Sequence, residues 1–157
     1  MLEKYILCFF ISMVPLIELR GAVPMALQMD LPVLSAYAVC ILGNMLPVPF
    51  IYFFARKVLV WGADKKYIGK FFRYCLEKGE HAGRKLAKTA GRRGLFLALM
   101  LFVGIPIPGT GAWTGTLGAS FLNMGFRTTV AAVSVGLVIA GVLMGLGSGA
   151  IFTFIGI

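Results

Sequence analysis

The chain has 157 residues, of which 59% are apolar and only 13% are charged, and it carries a formal net charge of +9. Globular proteins in water average about 25% charged residues, so this composition argues against a soluble core and predicts an all-α integral membrane protein. Nucleic-acid binding is disfavoured as well, because the basic residues form one block that is flanked by long uncharged stretches.

Four stretches are long and apolar enough to cross a bilayer, whose hydrocarbon core of about 30 Å needs roughly 20 helical residues. They are residues 5–29, 31–55, 95–126 and 128–157. Prolines and glycines interrupt the first and the third, so each should form two half-helices joined at membrane depth. The second and fourth are expected to be continuous helices, the second with a kink at its Pro-Val-Pro sequence.

The first interruption, residues 14–24, contains two charges, Glu18 and Arg20. A charge in the middle of an apolar span costs roughly 2.5–3.5 kcal/mol on insertion scales, so such residues normally face a cavity or each other. One hypothesis is that Arg20 binds an anionic head group through its planar donor fork and that Glu18 takes up and releases a proton. The alternative is an ion pair that only holds the loop, which would need irregular backbone because of the two-residue spacing.

The second interruption, residues 104–115, has no charge but several backbone N–H groups at the start of a half-helix, where anions bind. Thr110 and Thr114 would add hydroxyl groups, and Trp113 could stack on a ligand. A purely structural loop with Trp113 as packing is an equally good interpretation. The predicted substrate and proton site comprises Glu18, Arg20, Pro24, Pro106, Pro108, Gly109, Thr110, Gly111, Trp113 and Thr114.

Other kinds of site find little support in the sequence. The three cysteines are widely spaced and the one histidine lies in the basic block, so we predict no metal, no cofactor and no catalytic triad. We therefore expect a protein that is not an enzyme. Asn44, a lone polar residue in the second span, is expected to make a hydrogen bond in helix packing.

The basic block lies between the two pairs of spans. Residues 56–93 contain twelve of the fifteen basic residues and three of the six acidic ones. By the positive-inside rule this linker is cytoplasmic. Part of it predicts an amphipathic helix in the membrane interface. Its apolar face consists of Tyr67, Ile68, Phe71, Phe72, Cys75 and Leu76.

The order of segments predicts two inverted repeats in a single membrane domain of residues 1–157. Residues 1–61 form the first repeat with a re-entrant segment at 5–29, residues 62–93 form the linker, and residues 94–157 form the second repeat with a re-entrant segment at 95–123. Interruptions at corresponding positions of two halves point to a transporter binding site. If the broken spans instead cross fully, the linker and both termini lie on one side. In the last span Gly141, Gly145 and Gly149 form a small-residue face, for a dimer contact or for packing within the chain.

Three motifs resemble the bacterial family known as small multidrug export proteins. They are PLIELRGAVP at residues 15–24, GNMLPVP at 43–49 and PIPGTGAWTG at 106–115. That family is similar in turn to the DedA, or VTT (SNARE-associated), membrane proteins, whose fold has two opposed re-entrant segments. DedA proteins carry arginines around the second Pro-Gly, where this chain has Ile105 and Gly111, so Arg20 is the remaining membrane-embedded cation.

The resemblance implies a transporter in the bacterial inner membrane. Members of the wider group are implicated in moving polyprenyl-phosphate carriers or scrambling phospholipids, often with proton coupling. The leading hypothesis is therefore a proton-coupled transporter of a lipid-linked or amphipathic anion. The alternatives are a proton-coupled exporter of small cationic compounds and a membrane scaffold that transports nothing. The expected partners are membrane lipids, the substrate and a second copy of the chain in a homodimer.

Overall fold

Seven helices make up nearly all of the described chain, which contains no strand, as predicted. The structure, a computed structural model, describes residues 2–15, 17–107 and 110–155, with side chains for all of these except 75, 79, 82, 83, 86, 87 and 148–155. The helices are α1 (Leu2–Met13), α2 (Glu18–Gln28), α3 (Val33–Met45), α4 (Pro47–Ala63), α5 (Gly69–Gly104), α6 (Ala112–Phe121) and α7 (Phe126–Ile155).

Two helical segments are long and apolar enough to cross a membrane, Val33–Ala63 and Phe126–Gly147. The first joins α3 and α4 through Leu46, whose φ of −61° and ψ of −41° are helical, so the prolines do not end this span. The predicted kink at these prolines stays a prediction. The span continues past Ala55, where we predicted its end. Arg56 and the lysine after it stay in the helix because long basic side chains can extend toward the membrane surface.

Helices α1 and α2 form a hairpin whose open ends lie together. Lys4 Nζ donates a hydrogen bond to the carbonyl of Met29 at 2.8 Å, and the hydroxyls of Tyr5 and Ser35 are 2.8 Å apart. The connection between the helices is shorter than the predicted interruption, because α2 begins at Glu18 and continues through its internal proline. Prolines are tolerated in membrane helices where neighbouring groups satisfy the freed carbonyl.

The end of α5 and α6 form a second hairpin. Gly115 lies against Val103 and Leu99, so the two arms are in close contact. This hairpin opens near Tyr52, whose carbonyl accepts a 3.0 Å hydrogen bond from Ser120 Oγ. Since the first hairpin opens near Ser35, at the other end of Val33–Ala63, the two hairpins open in opposite directions.

The packing of helices links the two halves of the chain. Each hairpin packs on a long helix of its own half, α1 on α3 and α5 on α7. The second arm of each hairpin also packs on the long span of the other half, α2 on α7 and α6 on α4. Two inverted repeats would produce this arrangement, although the repeat itself stays a prediction.

The basic linker is helical and enters the second hairpin through a bend. Within α5, Gly91 has φ +67° and ψ −179°, a conformation that side-chain-bearing residues rarely adopt. The bend lies near the predicted boundary between linker and second repeat. Aromatic side chains before this bend are exposed, Tyr67 to 95% and Phe71 to 66%. Exposed aromatic side chains are expected for a segment that lies in the membrane interface.

The glycine face of α7 is used for packing within the chain. The ring of Tyr37 lies directly against Gly141 and Gly145, so a Cβ at either position would meet it. The structure therefore favours the intrachain interpretation of these two glycines. Gly149 lies outside the residues whose surroundings the structure describes.

The outer surface is apolar. Leu34 is 86%, Phe50 70% and Leu146 68% exposed, and many other large apolar side chains are bare. So many exposed apolar side chains outside the basic linker are unfavourable in water and are expected for helices that face lipid.

Candidate functional site

The site forms where the turns of the two hairpins meet. The carboxylate of Glu18 accepts hydrogen bonds from the backbone N–H groups of Trp113, at 3.1 Å, and Ala112, at 3.3 Å. These are the first amides of α6, which have no partner within their own helix. Glu18 therefore caps a helix 94 residues away in sequence, and only 6% of it is exposed.

Local backbone features allow this cap to form. Glu18 has φ +48°, in the left-handed region that non-glycine residues seldom occupy. Gly111 approaches the carboxylate so closely that a Cβ there would overlap it. Its own φ of 176° is extended, so the glycine is needed for space and not for backbone freedom.

Arg20 binds the other side of the same turn. Its guanidinium donates to the carbonyl of Ile107, to the carbonyl of Ile105 at 3.1 Å and to Thr110 Oγ1 at 2.8 Å. These acceptors follow the last turn of α5, where carbonyl groups lack helical partners. The half-buried guanidinium thus neutralises the negative end of α5, as Glu18 does the positive end of α6.

Glu18 and Arg20 do not pair with each other. Within the described chain the ion pair that forms is between Arg84 and Glu80, on the linker helix. The hypothesis of an ion pair that holds the first loop is therefore wrong: the two charges hold the first hairpin to the second. The opposite polarities of the two helix ends explain why each charge finds its own partner.

Three other predicted site residues lie on α2 and α6, each in different surroundings. Trp113 donates its indole N–H to the carbonyl of Met13 at 3.1 Å, which ties α6 to the end of α1. Thr114 is exposed, and its hydroxyl lies 3.5 Å from the Gly111 carbonyl. Pro24 is inside α2, one and a half turns beyond Glu18.

The prolines and glycine of the second turn are only partly described. Pro106 is exposed at the turn. Pro108 and Gly109, two of the predicted site residues, lie outside the described residues. The role of all these residues in binding a substrate or a proton stays a prediction.

Two buried polar residues escaped the sequence analysis as site residues. Asn44 and Thr116 are fully buried, and none of their side-chain polar atoms has a hydrogen-bond partner among the described residues. The expectation that Asn44 makes a helix-packing hydrogen bond is therefore wrong. Thr116 could have been noticed from the sequence, because it lies one helical turn after the start of the predicted half-helix.

The described residues contain no group of three or more histidine, cysteine, aspartate or glutamate side chains that could hold a metal ion.

A family model matches most of the chain. The model of a family described as "Putative small multi-drug export protein" matches residues 18–143, which include both hairpin turns. No curated protein and no solved structure matches the chain. Together with the apolar exterior and the two long apolar helices, this match identifies a membrane protein.

Proposed function

The chain belongs to the family of small multi-drug export proteins, and on that premise we propose that it is a proton-coupled transporter of amphipathic anions. Lipid-linked phosphates and phospholipids are the leading substrate class. The observation that carries the proposal is the carboxylate of Glu18 on the first amides of α6. An anion of the protein itself occupies the position at which an anionic head group would bind.

The proposed membrane placement follows from helix lengths. Helix α1 has 12 residues and α2 has 11, so each is about 16–18 Å long, roughly half of the hydrocarbon core. Two such hairpins that open in opposite directions would enter from opposite leaflets and meet near the midplane. The basic linker would lie on the cytoplasmic side of the bacterial inner membrane.

The proposed coupling is competition for the same amides. While Glu18 is ionised, its carboxylate holds the N–H groups of Ala112 and Trp113 and excludes another anion. A proton on Glu18 removes the charge. A hydrogen bond to a charged acceptor contributes about 1.5–3 kcal/mol, against about 0.5–1.5 kcal/mol for a neutral one. The amides then become available, so one proton on Glu18 accompanies each anion bound.

Arg20 would provide the positive charge of the head-group site. Its guanidinium lies on the other side of the same turn. The guanidinium has five N–H donors, and the turn accepts three hydrogen bonds from them. The planar arrangement of these donors matches a phosphate or carboxylate group. A head group at the start of α6 would therefore have both backbone amides and a cation within reach.

The apolar tail of the substrate also has a matching surface. A cavity of about 820 Å³ lies between α3 and α7, and apolar side chains dominate its lining. Leu27 of α2 is part of that lining, so the cavity adjoins the arm that carries Glu18. An acyl or prenyl chain could occupy this cavity while the head group crosses at the turn.

The proposal is tested by Glu18→Gln, with Glu3→Gln as the matched control. Glu3 is an exposed acid near the start of α1, far along the chain from the turn. The purified variants are reconstituted into liposomes that contain NBD-labelled phosphatidic acid, and head-group translocation is followed by dithionite quenching. The wild type and Glu3→Gln should respond to an imposed pH gradient, whereas Glu18→Gln should not. Equal responses in all three proteins would remove the proposal.

A second candidate, export of small cationic compounds, is favoured by the description of the matched family. It predicts that Glu18→Gln abolishes resistance to ethidium in cells, while Arg20→Ala does not. The anion hypothesis predicts instead that phosphatidic acid translocation fails in Arg20→Ala, in addition to losing its response to pH in Glu18→Gln. If the protein is a scaffold, neither substitution should change a transport rate.

A further inference from the structure

Helices α4 and α6 lie side by side and run in the same direction. Ser120 Oγ donates to the carbonyl of Tyr52 at 3.0 Å, 68 positions apart in sequence. Further along both helices, Arg56 donates to the side-chain oxygen of Asn123, 67 positions apart. A constant offset over a full turn defines a parallel register between the two helices.

The same register brings the two unpartnered side chains to the Glu18 cap. One turn before Ser120, Thr116 lies on the face of α6 that meets α4. One turn earlier again, the offset brings Asn44 to the level of Ala112, because the chain stays helical through Leu46. Ala112 is one of the amides that hold Glu18.

Helix α1 supports this placement of Asn44 independently. Gly43 packs against Ser12 and the carbonyl of Phe9. The next residue of α1, Met13, accepts the indole hydrogen bond of Trp113 at the start of α6. The C-terminal end of α1 therefore contacts both the Asn44 region and Trp113, whose backbone N–H donates to Glu18.

By this register four polar side chains lie at successive levels between the Glu18 cap and the end of α6, and we call this set the polar seam. It consists of Asn44, Thr116, Ser120 and Asn123. The three buried members are at most 3% exposed, whereas Asn123 is exposed at the end of α6. From the Glu18 cap to Asn123 the helical rise amounts to about 16 Å, roughly half of the hydrocarbon core.

We propose that the polar seam is a hydrated path that carries protons between the cytoplasmic end of α4 and the carboxylate of Glu18. This inference rests on the proposed proton-coupled function and names the route by which the proton arrives. Buried polar groups without protein partners are normally satisfied by internal water, which needs two to four such partners. The side chains of Asn44 and Thr116 provide these partners in the part of the seam nearest Glu18.

The outer end of the seam opens to solvent. A cavity of about 450 Å³ is lined there by Asn123, Thr128 and the two linker arginines Arg84 and Arg92. This is the side on which the basic linker lies, so the path leads to the proposed cytoplasmic surface. A proton would enter from bulk water, pass along the hydrogen-bonded water and form the neutral acid of Glu18, and it would leave by the reverse steps.

The other ionisable groups near this path lie mostly at its two ends. Arg20 is on the same helix as Glu18, and Arg56 is at the outer end, where Glu80 also lines the cavity and pairs with Arg84. The buried hydroxyl of Tyr52 donates to the carbonyl of Met124. The thiols of Cys8 and Cys40 are buried one turn before Ser12 and Asn44, on α1 and α3. In the described parts of α6 and α7 that pack near the cap, no acidic or basic side chain competes with Glu18 for the proton.

The test follows protonation of Glu18 itself. Infrared difference spectroscopy after a pH jump records the carboxylic-acid band of the reconstituted protein, and the band is assigned by its loss in Glu18→Gln. Thr116→Val, which keeps the shape of the side chain, should slow the appearance of this band at least tenfold. Thr116→Ser should restore the wild-type rate. The matched control is Thr129→Val, because the buried hydroxyl of Thr129 bonds the Gly125 carbonyl of the adjoining turn.

A second variant, Asn44→Leu, tests the inner end of the seam. It should slow the band as Thr116→Val does, and circular dichroism would show whether it is folded. A wild-type rate in both variants would overturn the seam while leaving the proposed function intact. A band that slows as expected, without any effect of pH on phosphatidic acid translocation, would instead support the seam and contradict the proposed function.

Discussion

Gly111→Ala should uncouple the two hairpin turns. The extended backbone at this position accepts alanine without strain, so the substitution acts through its Cβ, which would overlap the Glu18 carboxylate. Displacing the carboxylate breaks its hydrogen bonds to Ala112 and Trp113. Each hydrogen bond to a charged acceptor contributes about 1.5–3 kcal/mol, and partial relaxation of the Glu18 side chain reduces the sum. We therefore expect the free energy of unfolding to fall by about 2–4 kcal/mol.

The effect of Gly111→Ala on the free energy of unfolding should have the opposite sign when Glu18 is absent. In a Glu18→Ala background no carboxylate is displaced, and Gly→Ala at a compatible backbone position stabilises by about 0.4–1 kcal/mol through the unfolded state. The double-mutant cycle should therefore give a coupling energy of at least about 2 kcal/mol between Gly111 and Glu18.

The assay is equilibrium unfolding of the detergent-solubilised protein, followed by circular dichroism. For a chain of this length 1 kcal/mol corresponds to about 2–4 °C in Tm, so Gly111→Ala alone should lower Tm by roughly 4–16 °C. If the effects of Gly111→Ala and Glu18→Ala on the free energy of unfolding are additive within about 0.5 kcal/mol, the contact between Gly111 and Glu18 is not the source of the stability.

Two further substitutions test the packing of the scaffold. Gly145→Leu should destabilise the protein by about 1–3 kcal/mol, because its side chain meets the ring of Tyr37. Gly147→Leu should leave the stability nearly unchanged, because nothing lies within 4 Å of the Cβ position there. Comparable losses of stability in both variants would contradict intrachain packing. Gly91→Ala should cost about 1–3 kcal/mol because of its positive φ, in spite of the open space around it, and an unchanged Tm would exclude a required bend.

Several features of the fold could be predicted from the sequence because they depend on local chemistry. The Pro and Gly clusters marked both interruptions, since the missing N–H and the flexible backbone act on the nearest turn. The interruptions were predicted too long, because a proline inside α2 and the glycine at position 115 are accommodated within helices. The relationship to DedA proteins stays a prediction.

The site could be predicted as a place but not as a set of contacts. Two charges within an apolar stretch marked the first turn, and the free amides marked the second. Their partners depend on how the hairpins approach each other. The sequence predicted that a substrate binds these amides, whereas in the structure they donate to the carboxylate of Glu18. The sequence also predicted that Arg20 binds a head group, whereas in the structure Arg20 donates hydrogen bonds to carbonyl groups of the second turn.

By itself, then, the sequence determines a membrane protein with two broken and two long helical segments and a basic linker. These follow from hydropathy, helix length and proline chemistry, which act within about 20 consecutive residues. Only the tertiary structure decides that Glu18 caps α6 and that Asn44 and Thr116 are buried without partners. The physical reason is that hydrogen-bond partners about 70–95 positions apart are chosen by the packing of whole helices, which no local pattern specifies.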